Sequence, residues 1–200
     1  YLDQIVDRNK FEVFEKRIWT SDDIKETISG YLNIRTFADT HKWIEYERLG
    51  YWSMLQLNDH KLIKPNFPIN EEGYPKKKGP PGIPDIECFY QNFALILEVT
   101  LKTQHDQWQD ETASILEHLE KFIDVSDVKE NFCLFISPKI HPRALGVYFS
   151  ANKTGFGSDK KLGIIPLAHD QFCKILQIQS ELLKDGKKIE SKKMYRFYKD

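Results

Sequence analysis

The chain has 200 residues, 40% of them hydrophobic and 30% charged, with a formal net charge of −1. That is enough for one sizeable α/β or α+β domain with its own core. The near-zero charge excludes a global basic field for nucleic acid, and no apolar run approaches the length of a membrane span.

Cys88, Cys133 and Cys173 are odd in number and widely spaced. They read as buried apolar thiols in a reducing compartment, not as a disulfide framework or a metal finger. No secretory signal opens the sequence, so a cytoplasmic location is expected.

Residues 2–36 read as helical, with apolar positions at Leu2, Ile5, Phe11, Val13, Phe14 and Ile18. The cluster Thr20-Ser21-Asp22-Asp23 marks the start of a second helix within that span. A third is expected from about residue 39 to 57, its buried side supplied by Trp43, Ile44, Tyr51, Trp52 and Leu55. Residues 58–82 carry five prolines and the lysine run 76–78, and read as an ordered irregular loop.

Strands are expected over residues 85–93 and 94–100, joined by a turn near Gln91-Asn92. A helix follows over about 104–123, with Trp108, Thr112, Ile115, Leu116, Leu119 and Phe122 at helical spacing. The apolar run 132–137 ends at Pro138 and reads as a central strand. Residues 146–150 and 162–167 are two further strand candidates, and Asp170 opens a helix to about Leu183. The tail beyond is basic and interleaved with aromatics, which fits a packed terminal helix or a disordered end better than a nucleic-acid arm.

The segment that carries chemistry is Pro84-Asp85-Ile86-Glu87 followed by Leu97-Glu98-Val99-Thr100-Leu101-Lys102. Period-two alternation places Asp85 and Glu87 on one face of the first strand, and Glu98, Thr100 and Lys102 on one face of the second. If the two strands form a hairpin, Asp85 and Glu98 converge on one divalent cation. Hard oxygen donors suit Mg²⁺, with the Val99 carbonyl as a further ligand. Such an ion stabilises charge on a phosphodiester and provides hydroxide near neutral pH. Lys102 is placed to orient the attacking water.

Glu111 and His118 are seven apart and share a helical face, either bordering the site or lying on a solvated edge. Glu47 sits on the same line as Trp43, Gly50 and Met54. An acid among aromatics is metal-bound, hydrogen-bonded or paired with a lysine. The lysine run 76–78 is either a solvated loop or a phosphate clamp.

Pro84-Asp85 with Glu98-Val99-Thr100 resembles the PD-(D/E)xK nuclease signature. Tyr46-Glu47-Arg48, Gly82 to Glu87, Asp110-Glu111 with His118, and Ile165-Pro166-Leu167 leading to Asp170-Gln171-Phe172 extend the resemblance across residues 40–183. It is to the cleavage domain of AlwI-type type IIS restriction endonucleases, within them to the C-terminal catalytic domain of the large subunit of a heterodimeric nicking endonuclease.

The resemblance implies a mixed sheet of about five strands flanked by helices, in an α/β core over residues 39–200. Residues 1–38 would be a helical linker or accessory segment. It implies Mg²⁺-dependent nicking of one strand of double-stranded DNA in the bacterial cytoplasm, with specificity read by a separate N-terminal recognition domain. Asp85, Glu98 and Glu47 would hold the metal with Val99, and Glu111 and His118 would complete the catalytic set. A small nuclease subunit or a second copy would be needed to cut both strands. Thr100 departs from the signature, which has lysine at that position. A repair or junction-resolving nuclease with the same core, and a degenerate nuclease fold kept for dimerisation, are the rival readings.

Overall fold

The computed structural model describes residues 17–36, 41–57, 59–155 and 160–199. The helix expected to begin at Leu2 falls outside them up to residue 16. Ile18, counted on its apolar side, lies in a non-helical lead-in and is 88% exposed.

The first helix, α1, spans Ser21–Asn33. Its start is fixed reciprocally: the Asp23 N–H donates to Thr20 Oγ1 at 3.2 Å, and the Thr20 N–H donates to Asp23 Oδ2 at 2.8 Å. Two donors that the helix leaves unpaired are thereby satisfied. A 3₁₀ turn, Ile34–Thr36, follows. Helix α2 spans Lys42–Leu57, and every residue from Glu45 onward is buried. A helix buried on all sides belongs to the interior of the fold, and α2 lies against the sheet, α1 and the later helix α5.

Five strands form one sheet in sequence order: β1 Leu62–Pro65, β2 Ile86–Phe89, β3 Ala94–Val99, β4 Asn131–Ser137 and β5 Ile164–Ala168. The pairs β1–β2 and β2–β3 are antiparallel; β3–β4 and β4–β5 are parallel. The central strands β3 and β4 are covered on both faces, which is why they read as continuous apolar runs.

Leu95, Leu97, Leu134 and Ile136 pack with α1, α2 and α5 (His169–Lys184) on one face. Ala94, Ile96, Cys133 and Phe135 pack with α3 (Thr112–Val125) and α4 (Pro142–Thr154) on the other. The result is an α/β/α sandwich in which α3 and α4 are the crossovers between parallel strands. The basic tail forms a terminal helix, α6, Ser191–Lys199, whose Met194 and Tyr198 pack into the first core beside Phe93 and Phe132. All three cysteines are free and buried. Among the described residues no helix is long and apolar enough to cross a membrane.

Two sequence expectations are corrected. Residues 146–150 are helical, not a strand: they lie inside α4, which has Pro142 in its first turn and Gly155 at φ 79° past its end. Ala144, Tyr148 and Ala151 recur at helical spacing and are buried, a period that a five-residue run is too short to show. The stretch 58–82 is also not wholly irregular, because it contains β1. This short edge strand closes on Pro65, a residue tolerated only at such positions.

Candidate active site

Asp85 lies one step beyond the Ile86–Leu97 pair of the β2–β3 ladder, which sets it across from Glu98. Both belong to the sheet face covered by α3. Asp85 Oδ2 accepts the Val99 N–H at 2.9 Å, locking the carboxylate to the end of β3. From α2, on the opposite face, Glu47 reaches the same strand end. Gly50 makes that approach possible, since a Cβ there would stand 3.0 Å from Val99 Cγ1 and 3.3 Å from Leu97 Cδ2.

Glu47, Asp85, Glu98, Val99, Glu111 and His118 line one cleft of about 450 Å³. Thr100 and Lys102 border it, and Trp43, Tyr46 and the loop from Lys78 to Pro84 supply the rest of its wall. The metal-binding and catalytic candidates drawn from the sequence, Asp85, Glu98, Glu47, Val99, Glu111 and His118, are therefore brought to one place. Glu87 is not: its carboxylate takes Lys64 Nζ at 3.1 Å and Asn66 Nδ2 at 3.0 Å on the edge of the sheet.

The electrostatics are those of a crowded acid cluster. Burial, then the neighbouring Glu98, holds the Asp85 carboxyl well above the ordinary carboxylate range. Burial and Glu111 do the same to Glu98. Glu47 is pushed up to about 8 by burial and by Asp85, with the Lys78 charge pulling the other way. His118 Nδ1 lies 2.7 Å from Glu98 Oε1, and Nε2 lies 3.4 Å from Ser114 Oγ. Burial lowers the imidazole pKa, while burial and Glu111 raise that of Glu98, so the charged form of each partner is disfavoured.

Lys102 borders the cleft with its ammonium taken up by two acids. Its Nζ is 2.9 Å from Glu111 Oε1 and 3.0 Å from Asp110 Oδ2, and these partners keep it charged. Glu111 closes a π turn, Gln107–Glu111, that opens into α3. Such wide turns are rare and concentrate at functional sites.

Among the described residues no three His, Cys, Asp or Glu side chains form a ready metal cage. Mg²⁺ does not require one, since it retains waters and takes one or two carboxylates. The donors fit it. Glu47 Oε2 is buried with no hydrogen-bond partner among the described residues, Glu98 raises the cost of ionising Asp85, and Asp85 does the same to Glu47.

Gln107 gave no signal in the sequence. It is fully buried, and its Nε2 reaches Lys102 O at 2.7 Å, Ser137 Oγ at 2.8 Å and Lys139 O at 2.9 Å. Its Oε1 accepts the His141 N–H at 2.6 Å. One side chain thus ties the segments leaving β3 and β4 to the start of the π turn. A buried glutamine on a helix looks like any polar helix residue until its partners, all distant or non-periodic in sequence, are in place.

The mixed sheet with its flanking helices has the fold of a restriction endonuclease subunit. The chain is similar to the crystal structure of the small subunit (R.BspD6I2) of the heterodimeric restriction endonuclease R.BspD6I, with a TM-score of 0.71 at 22% identity over 87% of this chain and 86% of that one. Residues 38–175 match the AlwI restriction endonuclease family, and the chain belongs to that family. No curated protein matches it. Its class is that of a restriction-type, DNA-cleaving protein.

Proposed function

We propose that this chain hydrolyses a phosphodiester in one strand of double-stranded DNA in a Mg²⁺-dependent reaction, as a cleavage domain of the type IIS or nicking kind. The observation that carries the reading is the convergence of Asp85, Glu98 and Glu47 in one cleft with their pKa values raised. Buried like charges cost stability, and they are retained where a cation is to be held.

In this reading Asp85, Glu98 and Glu47 hold the ion with the Val99 carbonyl. Asp85 is aimed by its bond to the Val99 N–H, and Glu98 is aimed by His118. When bound, Mg²⁺ supplies positive charge at the phosphate and water acidic enough to give hydroxide near neutral pH. Glu111, held by Lys102, and His118 place water and the scissile phosphate. Water adds to phosphorus, the P–O bond to the leaving sugar breaks, and the departing oxygen takes up a proton.

In this reading Pro84-Asp85 and Glu98-Val99-Thr100 stand where the PD-(D/E)xK signature does, with Thr100 at its lysine position. Base-edge readout belongs to a separate N-terminal recognition domain, as in the large-subunit catalytic domains the sequence resembles. A protein of this fold serves as the small subunit of a heterodimeric restriction endonuclease. By analogy, a partner nuclease subunit or a second copy supplies the second active site for a double-strand cut.

The test is relaxation of supercoiled plasmid in Mg²⁺ and in EDTA, beside Asp85→Ala. Open circles that require Mg²⁺ and vanish in the variant are expected. Relaxation that persists in EDTA or in Asp85→Ala defeats the assignment. Failure to cut even with a recognition domain fused in front would favour the degenerate, dimerising module.

A further inference from the structure

We propose that Lys78 is the cation that grips a phosphate of the bound DNA strand at the cleavage site. This rests on the active-site reading above and adds a substrate contact to it.

A cleft lined with carboxylates repels the polyanion it is to cut, so a positive group facing the strand is required beside the acids. Lys102 is the nearest lysine in sequence, but its ammonium is already committed to Glu111 and Asp110. Lys76 and Lys77 do not line the cleft; Lys78 does. Among the described residues Lys78 makes no ion pair. Its Nζ rests over the Trp43 ring, 5.3 Å from the centroid. An exposed ammonium over an indole gains little from it, about 0.5–1 kcal/mol, so it can turn to a better anion at small cost. Its field already acts within the site, since it is the one charge that pulls the Glu47 carboxyl down.

The loop that carries Lys78 is fixed at both ends. Before it, the Lys76 N–H donates to Pro68 O at 2.8 Å. After it, Gly79 lies so close to Asn66 O that a Cβ would stand 3.0 Å away. Pro80 and Pro81 restrict the next step, and Asn66 Nδ2 donates to Pro84 O at 2.9 Å. An ammonium held on a braced loop loses less freedom on binding than one on a free lysine run. The partner that fits it is a single phosphodiester oxygen, which a point charge with rotatable donors recognises without reading bases.

The experiment compares wild type, Lys78→Ala, Lys78→Arg, Lys102→Ala and Asp85→Ala. Affinity for a short labelled duplex is measured across a low-salt series with Ca²⁺ replacing Mg²⁺. Lys78→Ala should reduce the slope of log K against log salt by about 0.9, the loss of one phosphate contact. Lys78→Arg and Lys102→Ala should keep it. In Mg²⁺, single-turnover nicking should fall about 10²-fold in Lys78→Ala with an unchanged melting temperature.

A wild-type slope in Lys78→Ala, or a slope lost in Lys102→Ala instead, overturns the proposal. If wild type does not nick alone, the slope decides. Nicking by Asp85→Ala would instead sink the underlying active-site reading, whatever Lys78 does.

Discussion

Replacing Gln107 with leucine is expected to destabilise the protein by about 2–3 kcal/mol. Leucine matches the side chain in size and removes both polar ends. The His141 N–H then loses its acceptor, now at 2.6 Å. The carbonyls of Lys102 and Lys139 lose the amide and must share one hydroxyl hydrogen, that of Ser137, at 2.8 and 3.1 Å. One donor and one acceptor are thus left wanting, each at about 1–3 kcal/mol. The added apolar burial offsets roughly 1 kcal/mol of that.

Urea denaturation measures it. For a slope near 2 kcal/mol/M the midpoint should fall by about 1–1.5 M with the slope unchanged. Because Gln107 tethers the π turn that ends in Glu111, Mg²⁺-dependent nicking should fall as well. A midpoint within experimental error of wild type would refute the reasoning, since it would mean that water replaces the amide at no cost.

Gly50→Val should cost about 1–3 kcal/mol by overpacking against Val99 and Leu97, and should weaken Mg²⁺ binding by lifting Glu47 from the strand end, as titration of the ion would show. Glu47→Gln should abolish nicking yet raise the melting temperature in EDTA at neutral pH, because folding no longer has to protonate a carboxyl of ordinary value 4.5 in a site where its value is about 8; a lower melting temperature would count against that cluster. Asp23→Ala should cost about 1 kcal/mol at neutral pH through loss of the capping pair. Thr20 and Arg17 hold the Asp23 carboxyl below its ordinary value of 3.8. Its contribution is therefore complete above that value and lost as the pH falls through the lower folded value, so the difference from wild type should vanish in acid.

How far the sequence can be read depends on how local each signal is. The hairpin is legible because Asp85 and Glu98 bracket two apolar runs with a turn between them, and ladder pairing then sets them opposite. Strand β4 is legible as an apolar run closed by Pro138. The Glu111–His118 spacing works because α3 is regular between them. What fails is what lacks period: β1 has four residues among prolines, and residues 146–150 are a short β-branched and aromatic run on a helix whose ends are marked only by Pro142 and Gly155. Lys102 shows a subtler limit. Alternation carries the second strand on to it, but β3 ends at Val99, and the ion pairs of Lys102 arise from a π turn that no spacing announces. Lys78 is similar, for it reaches the cleft from a loop that lies beyond the rest of α2 and β1 from Glu47, where no periodicity operates.

The π turn has a further consequence for how the chain tolerates length change. By holding one residue more than an α-helical turn, it works as a phase adjuster between two fixed points. On one side Gln107 is pinned to the strand ends; on the other Ile115, Leu119 and Phe122 are pinned in the second core. Deleting a single residue between them would let the helix run on as regular α. The phase of what lies on either side would change little, so Gln107 would keep its knot while the buried face of α3 stayed seated. A deletion in the regular part of α3 would instead rotate everything ahead of it by about 100° about the axis and shift it by about 1.5 Å, so the π turn is a place where this helix can lose a residue and keep its register.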